Sequence, residues 1–147
     1  MHDLMIRGQR ISIKTETGKG TRRDRISITK VCTTERDPWE AESLRQHVVR
    51  HLGRYDHMLM LRAIWDNTVI HYQAIDIPMR LLRQVSEITL TSVGTRRGRR
   101  SIGGDCFIQS DKAFHVHFDG SDGKCQIRDL RLDLCRVLGS WDYEIPA

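Results

Sequence analysis

The N-terminal segment, residues 2–16, carries the pattern that most restricts the fold of this chain. Apolar and polar side chains alternate on both sides of Gly8-Gln9, and a period of two is typical of a strand with one buried face. Glycine at the first central position suits a type II′ turn, because only glycine takes that positive φ without strain. We therefore predict a tight β-hairpin with Gly8 and Gln9 as its loop.

The register of this predicted hairpin assigns its side chains to two faces. It places Asp3 opposite Lys14, so a carboxylate and an ammonium stand at the distance at which cross-strand groups interact. The predicted buried face carries Leu4, Ile6, Ile11, Ile13 and Thr15, and the predicted open face carries Asp3, Met5, Ser12, Lys14 and Glu16. The plain alternative for Asp3 and Lys14 is an ion pair on a wet sheet face, worth under about 1 kcal/mol.

An acid, then a hairpin, then a lysine at the end of an apolar strand resembles the PD-(D/E)XK nuclease superfamily, to which most Type II restriction endonucleases belong. Asp3 matches the first acid, Lys14 matches the lysine, and Ser12 stands in place of the second acid. A serine lacks the negative charge that Asp or Glu brings to a divalent cation. Glu16, further along the same face, is our candidate for the missing acid.

This resemblance implies Mg²⁺-dependent hydrolysis of DNA phosphodiester bonds. Asp3 would bind the ion, with the backbone carbonyl of Ile13 as a second ligand and Glu16 as the substitute acid. Lys14 would orient or deprotonate the attacking water and offset charge in the transition state. Ser12 would hydrogen-bond a metal-bound water. The alternative is a weak or inactive DNA-binding protein on the same fold, which the serine favours.

The same resemblance implies the fold, a central mixed β-sheet flanked by helices. A helix and usually another strand precede the hairpin in that family, whereas this sequence opens inside the hairpin. We expect either that this part is absent or that the sequence is a fragment. Such a loss also favours the inactive alternative.

Two helices are predicted in the first two thirds of the chain. Asp37-Pro38-Trp39-Glu40 is typical of a helix start, because Asp caps, Pro suits the first helical position and Glu completes a capping box. Gly53 is expected to end this helix. A second, short helix should run from Pro78 to about Glu87. The predicted buried positions are Leu44, Val48 and Leu52 in the first helix, and Leu81, Leu82, Val85 and Ile88 in the second.

Strand patterns lie before, between and after these helices. Residues 26–31 alternate like a half-buried strand, although a short helix is also compatible. Residues 57–65 are nearly continuously apolar, which predicts a strand buried on both faces in the middle of a mixed sheet. After a turn at Asp66-Asn67, residues 68–77 should form its neighbour. This order of elements predicts an α/β or α+β fold.

The C-terminal segment, residues 105–147, is predicted to be rich in β-structure. We expect strands at 106–109, 113–118 and 124–128, with a turn at Asp119-Gly120-Ser121-Asp122-Gly123 that lacks the ligand spacing of an EF-hand. Phe114, Val116 and Phe118 should face the core, and His115 and His117 should face solvent or DNA rather than a metal. Residues 130–138 fit a strand or a helix equally. We divide a single domain into a catalytic-type core, 1–93, and a basic loop with a C-terminal extension, 94–147.

Two basic segments indicate a polyanionic partner. The chain has 24 Lys and Arg against 19 Asp and Glu, a net charge of +5, and arginine is well suited to bidentate contacts with phosphates and guanine edges. Residues 15–25 read as a mobile basic loop, and residues 94–104 as a loop in which four arginines occupy five positions. The candidate DNA contacts are Lys19, Arg22, Arg23, Arg96, Arg97, Arg99 and Arg100. Solvated loops, or a basic interaction module unrelated to nucleic acid, remain the alternatives.

The remaining composition places the chain among globular proteins. It has 147 residues, 39% of them hydrophobic, and lacks both an apolar run of about 18 residues and the apolar region of a signal peptide. Its four cysteines have no C-x-x-C spacing, so we expect reduced thiols in a cytoplasmic protein, and the resemblance to restriction endonucleases implies a prokaryotic one. The expected partners are double-stranded DNA, a second copy of the chain, since palindromic sites demand two-fold symmetry, and a cognate DNA methyltransferase encoded nearby.

Overall fold

The structure is a computed structural model that describes residues 4–34, 36–96 and 99–147, with the side chains of residues 95 and 96 left out. It contains two five-stranded sheets. The first sheet has the order β1 (Leu4–Ile6), β2 (Gln9–Glu16), β4 (His57–Asp66), β5 (Val69–Ile77) and β10 (Arg136–Glu144). The second has the order β3 (Arg25–Thr33), β9 (Lys124–Arg131), β8 (Asp111–Phe118), β7 (Arg99–Ile108) and β6 (Thr91–Arg96).

The first sheet is mixed, as predicted. Strand β2 runs parallel to β4, from Ile11 opposite His57 to Glu16 opposite Arg62, while the other pairings of this sheet are antiparallel. Strand β4 lies in the middle. The prediction that β4 is buried on both faces is wrong, because the side chains of Leu61 and Trp65 on its outer face are 47% and 54% exposed. Apolar residues continue onto an outer face that remains largely open to solvent.

Helix α1 (Ala41–Leu52) packs beside the sheets through Leu44, Val48 and Leu52, the predicted positions. It begins later than the sequence suggested. Its N-cap is Glu40, without a side-chain cap, whereas Asp37 pairs with His47 at 2.9 Å. The predicted capping box is therefore wrong, since the Asp37 carboxylate is held by a side chain of the second turn.

The second predicted helix is α2 (Met79–Leu82), which continues as a 3₁₀ helix (Arg83–Glu87). All of its predicted core positions are buried: Leu81, Leu82, Val85 and Ile88. Together with α1 and the mixed sheet, it confirms the predicted mixed α and β architecture with helices flanking a central sheet.

The N-terminal hairpin forms, but in another register. Leu4 lies opposite Ile11 and Ile6 opposite Gln9, so Arg7 and Gly8 are the loop residues. Both have positive φ, +50° and +77°, as a type I′ turn requires. The predicted loop at Gly8-Gln9 is therefore wrong, and Gln9 is free to join the strand. The predicted pairing of Asp3 with Lys14 lies partly outside the described residues.

The assignment of buried and open faces in this hairpin is also wrong. Leu4, Ile6 and Thr15 are exposed, whereas Ser12 and Lys14 are buried. The reason is long-range: strand β3 of the second sheet lies over the side of β2 that carries Lys14, whose Nζ donates to the Lys30 carbonyl at 2.9 Å.

Residues 94–104 are not a loop where the structure describes them. Residues 94–96 lie in β6 and residues 99–104 in β7, which pair as an antiparallel hairpin. The predicted loop at residues 94–104 is therefore wrong for the described residues, which pair as two strands. Gly104 permits one close approach, since a Cβ there would lie 2.2 Å from the Thr89 carbonyl oxygen.

The C-terminal segment is rich in β-structure, as predicted. Strands β7, β8 and β9 match the predicted segments, and Phe114, Val116 and Phe118 are fully buried. Residues 130–138, which the sequence left undecided, comprise the end of β9, a 3₁₀ turn (Leu132–Leu134) and the start of β10. The four cysteines are free thiols.

One buried apolar cluster joins the two sheets and the helices. It includes Ile28 of β3, Val48 of α1, Met60 of β4, Ile75 of β5 and Phe114 of β8. The proposed boundary at residues 93 and 94 falls inside β6. Within the described part of the chain, no helix combines the length and apolar character that a membrane crossing demands.

Candidate active site

Strand β2 carries the candidate catalytic side chains. Because side chains alternate along a strand, Ser12, Lys14 and Glu16 share one face, opposite Met58, Met60 and Arg62 of β4. Strand β1 pairs with β2 only as far as Ile11 in the described residues. The three positions therefore lie on the part of β2 that continues beyond this pairing.

Lys14 is enclosed between β2 and β3. Its side chain is 6% exposed, and its Nζ donates to the carbonyl oxygens of Lys30 and Val31 at 2.9 and 3.4 Å. A hydrogen bond with Cys125 lowers the pKa of the neighbouring Cys32 thiol, and the positive charge of Lys14 acts in the same direction. The structure therefore holds a cation at the predicted position, but in a dry environment rather than on a wet face.

Glu16 forms a buried ion pair with Arg62. The fully buried Arg62 side chain donates from Nε to Glu16 Oε1 at 2.7 Å, and the Ser27 N–H donates to Glu16 Oε2 at 3.0 Å. Both carboxylate oxygens are thus engaged. Arg62 also donates to Gln73 Oε1 at 2.9 Å and to the carbonyl oxygens of Arg22 and Arg25, the latter at 2.6 Å.

The role of Arg62 was missed in the sequence, although a signal exists. Arg62 interrupts the apolar run of residues 57–65 in phase with Met58 and Met60, so period-two alternation points it to the buried face. A guanidinium on such a face needs acceptors, and Glu16 is opposite in the sheet.

A polar cleft of about 380 Å³ opens beside Glu16. It is rich in hydroxyl groups, which can hydrogen-bond phosphate oxygens. Its lining consists of Thr15, Glu16, Thr17, Gly20, Thr21, Ser27 and Thr29. The cleft therefore places several hydroxyl groups beside the Glu16 carboxylate.

The basic loop between β2 and β3 borders this cleft. Lys19 is exposed, Arg22 pairs with Asp129, and Arg23 Nη2 lies 3.5 Å from Asp66 Oδ2. Both arginine pairs are largely exposed, and such pairs contribute little free energy. Arg22 and Arg23 can therefore exchange their aspartate partners for phosphates, while Arg62 anchors the backbone at the end of the loop.

The second basic cluster lies elsewhere. Arg99 and Arg100 lie at the start of β7. Because neighbouring strands of the second sheet are antiparallel, the start of β7 and the start of β3 lie at opposite ends of that sheet. The length of β8 separates the two ends, roughly 25 Å. The backbone of Arg96 lies in β6, and Arg97 is outside the described residues. Of the described candidate DNA contacts, Lys19, Arg22 and Arg23 lie in the loop that borders the cleft, although none of the three is among its lining residues.

The metal ligands expected from the sequence are oxygen donors around β2. Among the described residues, no three His, Cys, Asp or Glu side chains are grouped as a metal site, and Asp3 lies outside them. His115 Nδ1 bonds Asp105 Oδ1 at 2.7 Å, while burial lowers the pKa of His117.

Comparison with known proteins decides the family. A family model described as SmaI, Type II site-specific deoxyribonuclease, matches residues 1–143. This chain belongs to the SmaI family. It is 28% identical over 149 aligned positions to the Type II restriction enzyme SmaI of Serratia marcescens. No solved structure matches significantly.

The SmaI match covers the two molecules unequally. It includes 99% of this chain, but this chain spans only about 60% of the length of the Serratia marcescens enzyme. Family membership confirms the predicted likeness to Type II restriction endonucleases. The PD-(D/E)XK assignment of Asp3, Ser12 and Lys14 stays a prediction.

Proposed function

We propose that this chain is a Mg²⁺-dependent endonuclease that hydrolyses DNA phosphodiester bonds in the manner of a Type II restriction enzyme. The observation that carries the proposal is the SmaI family match over residues 1–143. The cation of Lys14 beside β3 and the hydroxyl-lined cleft at Glu16 support it.

The proposed ligand set fits a hard cation. Asp3, the Ile13 backbone carbonyl and Glu16 offer only oxygen atoms, which Mg²⁺ prefers. The bound ion would supply charge neutralisation at the scissile phosphate. Each Glu16 oxygen accepts a hydrogen bond, from Arg62 or from Ser27, and its second lone pair would face the ion.

Lys14 and Ser12 act on the attacking water in this proposal. Lys14 offsets the developing negative charge and orients the water, and to do so its ammonium exchanges the contact with Lys30 or Val31 for the water oxygen. Burial strengthens such an electrostatic contribution, because the surrounding dielectric is low. Ser12, fully buried on the same strand face, hydrogen-bonds the water.

Double-stranded DNA is the proposed substrate. Lys19, Arg22 and Arg23 would contact the phosphates next to the cleft. The cluster of Arg96, Arg97, Arg99 and Arg100 would contact a second stretch, roughly 25 Å away along the sheet. At 3.4 Å per base pair, this separation corresponds to about seven base pairs.

We further propose a homodimer, because a palindromic site presents the same surface twice, and a prokaryotic cytoplasmic setting with a cognate methyltransferase encoded nearby. A DNA-binding protein without catalysis is the second candidate. It is favoured by the serine at position 12 and by the engagement of both Glu16 oxygens with Arg62 and Ser27.

Incubation of supercoiled plasmid DNA with the chain, with Mg²⁺ or with EDTA, separates these candidates. The proposal predicts discrete linear fragments that require Mg²⁺ and disappear in the Asp3→Ala variant. Salt-dependent DNA binding without cleavage in Mg²⁺ would establish the second candidate. Absence of both activities contradicts a nucleic-acid role for the chain.

A further inference from the structure

Three separate elements meet beside Arg99 and Arg100, near the loop end of the basic β6–β7 hairpin, and their contacts define a hairpin clamp: Trp39, Ser101 and Gly120. We propose that this clamp fixes the orientation of the hairpin, so that Trp39 is a positioning residue for DNA binding although it carries no charge. The inference rests on the proposed function, since it assumes that the hairpin arginines contact DNA.

Trp39 holds two consecutive residues of β7. Its indole Nε1–H donates to the carbonyl oxygen of Arg100 at 2.5 Å. The guanidinium carbon of Arg99 lies 4.3 Å from the centroid of its ring, within the range of a cation–π interaction. Trp39 therefore contacts both the backbone and a side chain of the strand that leaves the arginine cluster.

The turn between β8 and β9 holds the same strand from another side. Arg99 Nε donates to the Gly120 carbonyl at 3.0 Å, and the Gly120 N–H donates to Ser101 Oγ at 3.1 Å. A Cβ at Gly120 would lie only 2.4 Å from the Arg99 carbonyl oxygen. This contact gives the Asp-Gly-Ser-Asp-Gly run a role, because only glycine allows the turn to approach β7 so closely.

The two holding elements are themselves connected. The backbone N–H and the hydroxyl of Thr34 both donate to the Gly123 carbonyl, at 2.7 and 2.8 Å. Asp119 Oδ1 accepts the N–H and hydroxyl of Ser121 at 2.8 and 2.6 Å, which fixes the turn. The clamp is thus a bonded unit that joins the segment before α1 to the turn after β8.

The two arginines at the start of β7 have different surroundings. Arg99 is committed to Trp39 and Gly120, while Arg100 is exposed. Like charges in a short cluster repel one another. A hairpin without the clamp would lose conformational entropy when it becomes ordered on DNA, and this loss weakens binding. A clamp that orders the hairpin beforehand raises DNA affinity without adding a phosphate contact of its own.

Salt titrations of DNA binding test the clamp. We compare the wild type with Trp39→Ala, which removes the ring and the donor, and Trp39→Phe, which keeps a ring under Arg99 but lacks the N–H. Trp65→Ala is the matched control, because Trp65 is exposed on the first sheet. Thermal melts verify that each variant is folded at the titration temperature.

We expect Trp39→Ala to bind DNA about tenfold more weakly and to lower the slope of log K against log salt by about one. Trp39→Phe should fall between it and the wild type, and Trp65→Ala should match the wild type. Since tryptophan has no charge, a lower slope reports displaced arginines and not a lost phosphate contact. A purely structural Trp39 lowers the melting temperature and leaves the slope of the folded protein unchanged.

Gly120→Ala perturbs the hairpin clamp at the turn between β8 and β9, and it should also lower the slope of log K against log salt. An unchanged slope in both Trp39→Ala and Gly120→Ala, with salt-dependent binding by the wild type, overturns the clamp and leaves the proposed function intact. A wild type that binds no DNA removes the proposed function instead, and the positioning role with it.

Discussion

Replacing Glu16 by Gln isolates the ion pair that joins β2, β4 and the basic loop. The substitution keeps the shape of the side chain but removes the charge that faces Arg62. The Glu16 and Arg62 side chains are 10% and 0% exposed, so the pair is largely shielded from solvent. Breaking a buried pair from one side costs about 3 kcal/mol, because the remaining charge is left uncompensated.

For a chain of 147 residues, such a loss lowers the melting temperature by roughly 6–12 °C. The assay is urea and thermal unfolding followed by circular dichroism at neutral pH. Glu42→Gln is the matched control, because the Glu42 side chain is 68% exposed and pairs with Arg45 at 3.2 Å, and we expect less than about 0.5 kcal/mol there.

A double-mutant cycle separates the pair from its surroundings. Arg62→Met removes the buried charge, so Glu16→Gln should cost much less in that background than in the wild type. A Glu16→Gln variant within about 1 kcal/mol of the wild type would refute the reasoning, and Glu16 would then be available as a metal ligand at little structural cost.

Two further predictions concern the second sheet. Burial, reinforced by the nearby charges of Arg128 and His115, lowers the pKa of His117 from 6.5, while Asp119 and Asp122 oppose the shift. As the pH falls, the unfolded chain therefore binds a proton at this histidine before the folded chain does. The contribution of His117 to the free energy of unfolding is fully present above pH 6.5 and declines as the pH falls toward the folded pKa. Urea unfolding at pH 7.5 and 5.5 should show a smaller decline in His117→Gln, and an equal decline contradicts the prediction. Gly104→Ala should destabilise by about 2 kcal/mol or more, because the new Cβ would lie 2.2 Å from the Thr89 carbonyl oxygen. A melting temperature equal to the wild type would show that the segment around Thr89, which precedes β6, moves away from β7 at little cost.

Local patterns predicted the elements in which one face is apolar and the other polar. The alternation of Phe114, Val116 and Phe118 identified β8, and the spacing of Leu44 and Val48 identified the core face of α1. In these segments the buried side chains are also the apolar ones, so hydrophobicity alone identifies the buried positions.

The features that were predicted wrongly depend on distant contacts or unusual backbone. Arg7 adopts a positive φ, which arginine disfavours, and this conformation moves the hairpin loop by one residue. The buried face of β2 is decided by β3, whose Lys30 carbonyl binds Lys14 across 16 positions in sequence. In β4, Leu61 and Trp65 are apolar yet exposed, so hydrophobicity alone could not separate the two faces.

The candidate site shows the same limit. The sequence singled out Lys14 and Glu16 as polar residues on one strand, but not the acceptors that surround them. Arg62 reaches Glu16 because β2 and β4 run parallel side by side, a pairing between segments 46 residues apart. No short motif records such a pairing.

Cleavage by a Lys14→Ala variant tests the central claim most directly. The measurement is single-turnover hydrolysis of plasmid DNA in Mg²⁺, with Lys30→Ala as control, because Lys30 is exposed on the adjacent strand. We expect Lys14→Ala to lose about a hundredfold or more in cleavage rate while it keeps its fold and its salt-dependent DNA binding. A folded Lys14→Ala protein that cuts DNA at the rate of the wild type contradicts the assignment of Lys14 to the reaction centre.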